Sequence, residues 1–109
     1  VPVLKTEILY SVDELYQLYS KNPQITKIKF AKDVLSHRYG RDTKDYYIVV
    51  FKDNRVIGLS HMFPSYERKG SLTTSFTSIL EEEQGNGYSS LILEKRIELL
   101  KELNMDFHS

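Results

Sequence analysis

The stretch Glu81-Glu82-Glu83-Gln84-Gly85-Asn86-Gly87-Tyr88-Ser89-Ser90 carries a strand-like segment through two glycines into an apolar-periodic helix. A strand, a glycine turn and a helix start together make an anion cradle. Successive backbone N–H groups converge at such a turn and the helix adds its positive dipole end, so an anion binds there without a basic side chain. Downstream, Leu91, Ile92, Leu93, Ile97, Leu99, Leu100 and Leu103 trace an apolar stripe, with Glu94, Lys95, Glu98, Lys101 and Glu102 on the other side. The spacing predicts the longest helix of the chain, closed by Asn104 as a left-handed C′ residue. Met105-Asp106-Phe107-His108 then turns strand-like.

Upstream of the turn, Ser71 to Leu80 alternates as a strand, with Leu72, Phe76 and Leu80 expected on one side and small hydroxyls on the other. Pro64 to Gly70 reads as a loop. Before it lies a hairpin: Tyr46 to Lys52, the two-residue turn Asp53-Asn54, then Arg55 to Phe63. Asp and Asn tolerate the positive φ of a type I′ turn, which sets Phe51 opposite Val56 and Tyr46 opposite His61. That register groups Ile48, Val50, Ile57 and Leu59 on one face, and Tyr47, Val49, Phe51, Val56 and Met62 on the other. Both faces are apolar, so helices must cover the sheet on both sides. Gly58 within a strand signals a close approach to its backbone or a bulge.

Further upstream, His37 to Asp45 is a polar link. Gln24 to about Ser36 is expected to be one helix that buries Ile25, Ile28, Phe30, Ala31, Val34 and Leu35 and leaves Lys27, Lys29 and Lys32 solvated. Val3 to Tyr10 reads as the first strand. Ser11-Val12-Asp13-Glu14 is a capping box, and it opens a helix that Asn22-Pro23 closes.

Composition bounds what such a chain does. At 109 residues it is expected to be a single domain, 1–109. Fifteen basic against fifteen acidic residues give no net charge, so neither nucleic acid nor an anionic membrane surface is expected as a partner. Zero cysteines and three scattered histidines (His37, His61 and His108) argue against a metal site. No apolar run reaches the length of a membrane span and Val1-Pro2-Val3-Leu4-Lys5 lacks the regions of a secretory signal, so a cytoplasmic location is expected. The sequence does not begin with methionine, and its amino end is expected to have been processed or cut.

The order is strand, helix, helix, strand, strand, strand, helix and the start of a fifth strand. In that setting Gln84-Gly85-Asn86-Gly87-Tyr88-Ser89 resembles the Q/R-x-x-G-x-G/A signature of the GNAT superfamily of acyl-CoA N-acyltransferases, with Ser89 where glycine or alanine is usual. The resemblance spans most of the chain. It implies an α/β (α+β) fold with a mixed, mostly antiparallel central sheet and helices on both faces. It implies acetyl-CoA as co-substrate, with acetyl transfer to a primary amine by direct attack. Its pyrophosphate would be bound at Gln84, Gly85, Asn86, Gly87, Tyr88, Ser89 and Ser90, and its pantetheine arm along Ser78, Ile79 and Leu80.

Direct attack needs a base to keep the amine neutral and an acid for the leaving thiolate. The tyrosine that the family uses as acid lies beyond the fifth strand, so the resemblance implies that the closing elements of the fold lie outside these residues. His61 and Glu81 are the candidate bases. Each has a plainer reading: His61 as a structural histidine against a cross-strand tyrosine, and Glu81 as part of a solvated acidic run. Tyr66 and Glu67 read first as plain loop residues, and the alternative is that their loop borders a substrate cleft. A non-catalytic module of the same architecture is the alternative to an enzyme. In either case the edge of the fifth strand is expected to be completed by a second copy or by a further carboxy-terminal segment.

Overall fold

The computed structural model describes residues 1–38, 40–41 and 43–108. Strands β1 (Leu4–Leu9), β2 (Tyr46–Lys52), β3 (Arg55–Pro64), β4 (Ser71–Ile79) and β5 (Asp106–Phe107) form one sheet in the order β1-β2-β3-β4-β5. All neighbours are antiparallel except β4 and β5, which are parallel. Helices α1 (Val12–Lys21) and α2 (Ala31–Arg38), joined through a short 3₁₀ segment at Pro23–Lys27, lie on one face. Helix α3 (Ser89–Leu103) covers the other, where Arg96 reaches Thr77 of β4 at 3.3 Å. The layered α/β arrangement is the one that two apolar sheet faces require.

Local chemistry explains the element ends. Ser11 Oγ accepts from the Glu14 N–H at 3.2 Å, and Glu14 reaches back to the Tyr10 N–H. Asp53 and Asn54 both take positive φ, 50° and 67°, as the two-residue turn demands. Asn104 ends α3 at φ 55°, and its N–H caps the Leu100 and Lys101 carbonyls.

Three expectations are corrected. The helix read from Gln24 to Ser36 is broken: Ile28 is extended and Phe30 sits at φ 74°, so the chain turns before α2 starts. Phe30 is consequently 46% exposed instead of buried, and α2 runs on through His37 and Arg38, which were read as link. Tyr39 and Asp42 of that link lie outside the described residues, as does Ser109.

The second correction is the hairpin register. Phe51 pairs with Val56, but Val50 pairs with Gly58, which leaves Ile57 as an extra residue. This bulge moves the ladder by one place, so His61 faces Tyr47, and Tyr46 faces Met62. Leu59 accordingly shares a face with Val49 and Tyr47, not with Ile48 and Val50. The third is β4. His61 pairs with Phe76 and Met62 with Thr74, so Ser75 is extra, and Leu72 and Phe76 lie on opposite faces.

Gly58 meets both conditions that a strand glycine signals. A Cβ there would lie 2.6 Å from Ile79 Cδ1 and 3.3 Å from Val50 Cβ. Gly58→Ala is therefore expected to cost about 1–2 kcal/mol by overpacking, read as a lower urea midpoint. An unchanged midpoint would mean that Ile79 moves aside freely.

Candidate functional site

Strand β5 pairs only with the first residues of β4, at Ser71↔Asp106 and Leu72↔Phe107. Beyond them the β4 edge is without a strand partner among the described residues. The Leu80 N–H donates to the Ile57 carbonyl of β3 at 2.8 Å, and antiparallel parity then turns the backbone groups of Thr77 and Ile79 outward to the open edge. A cleft of about 490 Å³ lies against this edge, lined by Lys29, Phe30, Thr77, Ser78, Ile79, Glu83, Gln84, Gly85, Gly87, Tyr88 and Ser89. Its volume is that of small-molecule sites, about 300–1,000 Å³.

The floor of the cleft is the glycine turn. Gly85 and Gly87 take φ 84° and 77°, which L side chains adopt at a cost. Among the described residues, the N–H groups of Gly85, Asn86, Gly87 and Tyr88 donate to no protein acceptor, and no side chain caps α3. The turn is held from outside. Lys52 Nζ pairs with Glu83 Oε1 at 2.7 Å, and Asn86 Nδ2 donates to the Glu83 carbonyl at 3.0 Å. The hydrogen bond to Glu83 raises the Lys52 pKa, which keeps the clamp ionic. Gln84 Nε2 donates to the Ile79 carbonyl at 3.1 Å, tying the turn to the strand edge. The result is a set of free donors beside a positive helix end, suited to an anion.

A second cluster lies on the α1/α2 face. His61 is 1% exposed, with Nε2 2.6 Å from Asp45 Oδ1 and Nδ1 2.7 Å from Ser75 Oγ. Its ring stacks on Tyr47 with centroids 4.8 Å apart. Asp45 is fully buried, accepts from the Thr43 hydroxyl and has Arg38 Nε at 3.7 Å. An ionised carboxylate only accepts, so Nε2 carries the ring hydrogen, and in the neutral imidazole Nδ1 accepts from Ser75. Burial pushes the His61 pKa below its ordinary 6.5, Asp45 pulls it up, and Arg38 adds to the lowering.

Of the residues named from sequence, Ser78, Ile79, Gln84, Gly85, Gly87, Tyr88 and Ser89 come together around the cleft. Leu80 is buried with its N–H turned to β3, Asn86 braces the turn, and Ser90 Oγ donates to the Gly87 carbonyl at 2.7 Å. Glu81 is exposed and does not line the cleft. Glu82 pairs with Arg55 at 3.3 Å, and Glu83 is the buried member of the run. Tyr66 is exposed and packs on Phe63. Lys29 and Phe30 enter the cleft wall through the helix break, which no periodicity announced. Asp45 and Ser75 were read as link and strand hydroxyl, and a carboxylate just before a histidine-bearing hairpin was their one signal.

An open strand edge meeting an N–H cradle at a helix start is an arrangement suited to an extended anionic ligand. The family model described as Acetyltransferase (GNAT) family matches residues 12–108, and the chain belongs to that family, a family of acyl-transferring enzymes. The fold is also that of solved structures. A GNAT family acetyltransferase of Staphylococcus aureus aligns at 24% identity and TM-score 0.57, covering 97% of this chain and 86% of that one. An aminoglycoside acetyltransferase from an uncultured soil metagenomic sample aligns at 12% identity and TM-score 0.66, covering 96% and 76%. A predicted acetyltransferase of Clostridium acetobutylicum, solved with acetyl-CoA, aligns at 14% identity and TM-score 0.59, covering 97% and 79%. No curated protein sequence matches the chain. Among the described residues no helix is long and apolar enough to cross a membrane, and no group of side chains is arranged to hold a metal ion.

Proposed function

We propose that this chain is an acetyl-CoA-dependent N-acetyltransferase that acylates a primary amine by direct attack on the thioester. The observation that carries the reading is the meeting, in one cleft, of the outward backbone groups of Thr77 and Ile79 with the unpartnered N–H groups from Gly85 to Tyr88. The pantetheine arm carries amides that pair with a strand edge as an added strand does, and the pyrophosphate needs donors and a positive helix end. Lys29 also lines the cleft and brings a positive charge to it. Acetyl-CoA in a distant relative of the same fold supports the choice of co-substrate. Calorimetric titration of acetyl-CoA into the protein is expected to give one-to-one micromolar binding, with thiol release when amines are added. Absence of binding by well-folded protein would sink the reading. Binding without release across an amine panel would favour a non-catalytic binding module.

A further inference from the structure

The buried His61 has both ring nitrogens engaged, and one of the two partners reaches solvent. Nε2 holds the Asp45 carboxylate inside the protein at 2.6 Å, while Nδ1 lies 2.7 Å from the exposed Ser75 hydroxyl. Ser75 occupies this position because it is the extra residue of the β4 bulge. It opens on a pocket of about 160 Å³ shared with Asp33, Val34, His37 and Arg38. Thr77, two residues further along the same strand, lines the larger cleft. A histidine that merely packs against Tyr47 needs neither a buried carboxylate behind it nor a hydroxyl leading outward.

Building on the acyltransferase reading above, we propose that Ser75, His61 and Asp45 form a proton relay that deprotonates the acceptor amine, with Ser75 as the group that touches it. The ammonium nitrogen gives a proton to Ser75 Oγ as the Ser75 hydroxyl proton passes to His61 Nδ1, and Asp45 holds the resulting imidazolium. The neutral amine attacks the thioester carbonyl: the C–N bond forms, the C–S bond breaks, and the thiolate leaves with the second nitrogen proton. His61 then returns its proton to solvent through Ser75, so an ammonium and a thioester yield an amide, a thiol and one released proton. Ser75 is catalytic in this scheme, and His61 and Asp45 act through it. The titratable and charged groups around His61 are Asp33, His37 and Arg38 of α2, Asp45, and Tyr47 of β2.

Two acceptors separate a relay from a structural role: butylamine, mostly protonated near neutrality, and hydroxylamine, mostly neutral there. Ser75→Ala is expected to lower kcat/KM for butylamine by about a hundredfold and for hydroxylamine by less than about threefold, with acetyl-CoA affinity unchanged. Ser75→Thr, which keeps the hydroxyl, should restore most of the butylamine rate. The wild-type butylamine profile should level off once the relay is deprotonated, whereas in Ser75→Ala the rate should keep rising with pH as the free-amine fraction does. Equal losses on both acceptors, or no loss on either, would overturn the relay. Wild-type protein that binds acetyl-CoA but releases thiol with neither acceptor would overturn it as well. Failure to bind acetyl-CoA at all would instead overturn the acyltransferase reading on which it rests.

Discussion

Gly87→Glu is expected to weaken acetyl-CoA binding by about a hundredfold while the protein stays folded. At Gly87 φ is 77° and nothing lies within 4 Å of where a Cβ would stand, so the new side chain meets open space and no clash unfolds the domain. The cost to the fold is the left-handed backbone, about 1–2 kcal/mol. The cost to binding is larger. A carboxylate at the cradle repels the pyrophosphate, and loss of its charge-assisted hydrogen bonds is worth about 1.5–3 kcal/mol, which is one to two orders of magnitude in Kd. Gly40→Glu is the control, since Gly40 has φ 80° and equally open surroundings away from the cleft. It should reproduce the stability loss and leave affinity alone. Calorimetry beside urea denaturation of both variants decides the matter, and wild-type affinity in Gly87→Glu would remove the turn from the binding site.

Asp45→Ala is expected to destabilise the protein by about 3 kcal/mol, the largest effect of any single truncation near the site. The substitution strands a buried His61 N–H and leaves the nearby Arg38 charge without its carboxylate. Asp45→Asn keeps an acceptor oxygen in place and should cost roughly a third as much. The same cluster sets a pH dependence. Burial lowers the His61 pKa in the folded chain below 6.5, so at intermediate pH the unfolded chain binds more protons. The stability this contributes is full above 6.5 and is lost as the pH falls from there to the folded value. Urea midpoints measured between about pH 7 and pH 5 should therefore decline in the wild type and decline less in His61→Gln. A flat wild-type profile would show that His61 titrates alike in both states.

Features governed by neighbours in the chain were legible before the fold was seen. Ser11 with Glu14, Asp53 with Asn54, the glycine turn and Asn104 each act within a few residues, and each forms as its local chemistry dictates. Features governed by pairing across space were not. Gly58 signals a bulge or a close approach in β3 without marking Ile57 as extra, nothing in β4 marks Ser75, and each bulge reverses which side chains share a face from that point on. The break at Phe30 escaped for a similar reason, because the apolar period runs through a residue whose φ is 74°. The site was legible to the same extent. The cleft floor follows from one contiguous turn, whereas Asp45, His61 and Ser75 meet only through the cross-strand register.

The bulge at Ser75 behaves like a frameshift written into a strand. Ahead of it, Gly70 and Leu72 offer their carbonyls to β5, and beyond it the outward role passes to Thr77 and Ile79. Removing that single residue would restore an unbroken ladder to β3 and leave Thr77 and Ile79 facing outward, yet it would take away the hydroxyl next to His61. The extra residue thus sets a hydroxyl beside the buried histidine at no cost to the pairing on either side of it.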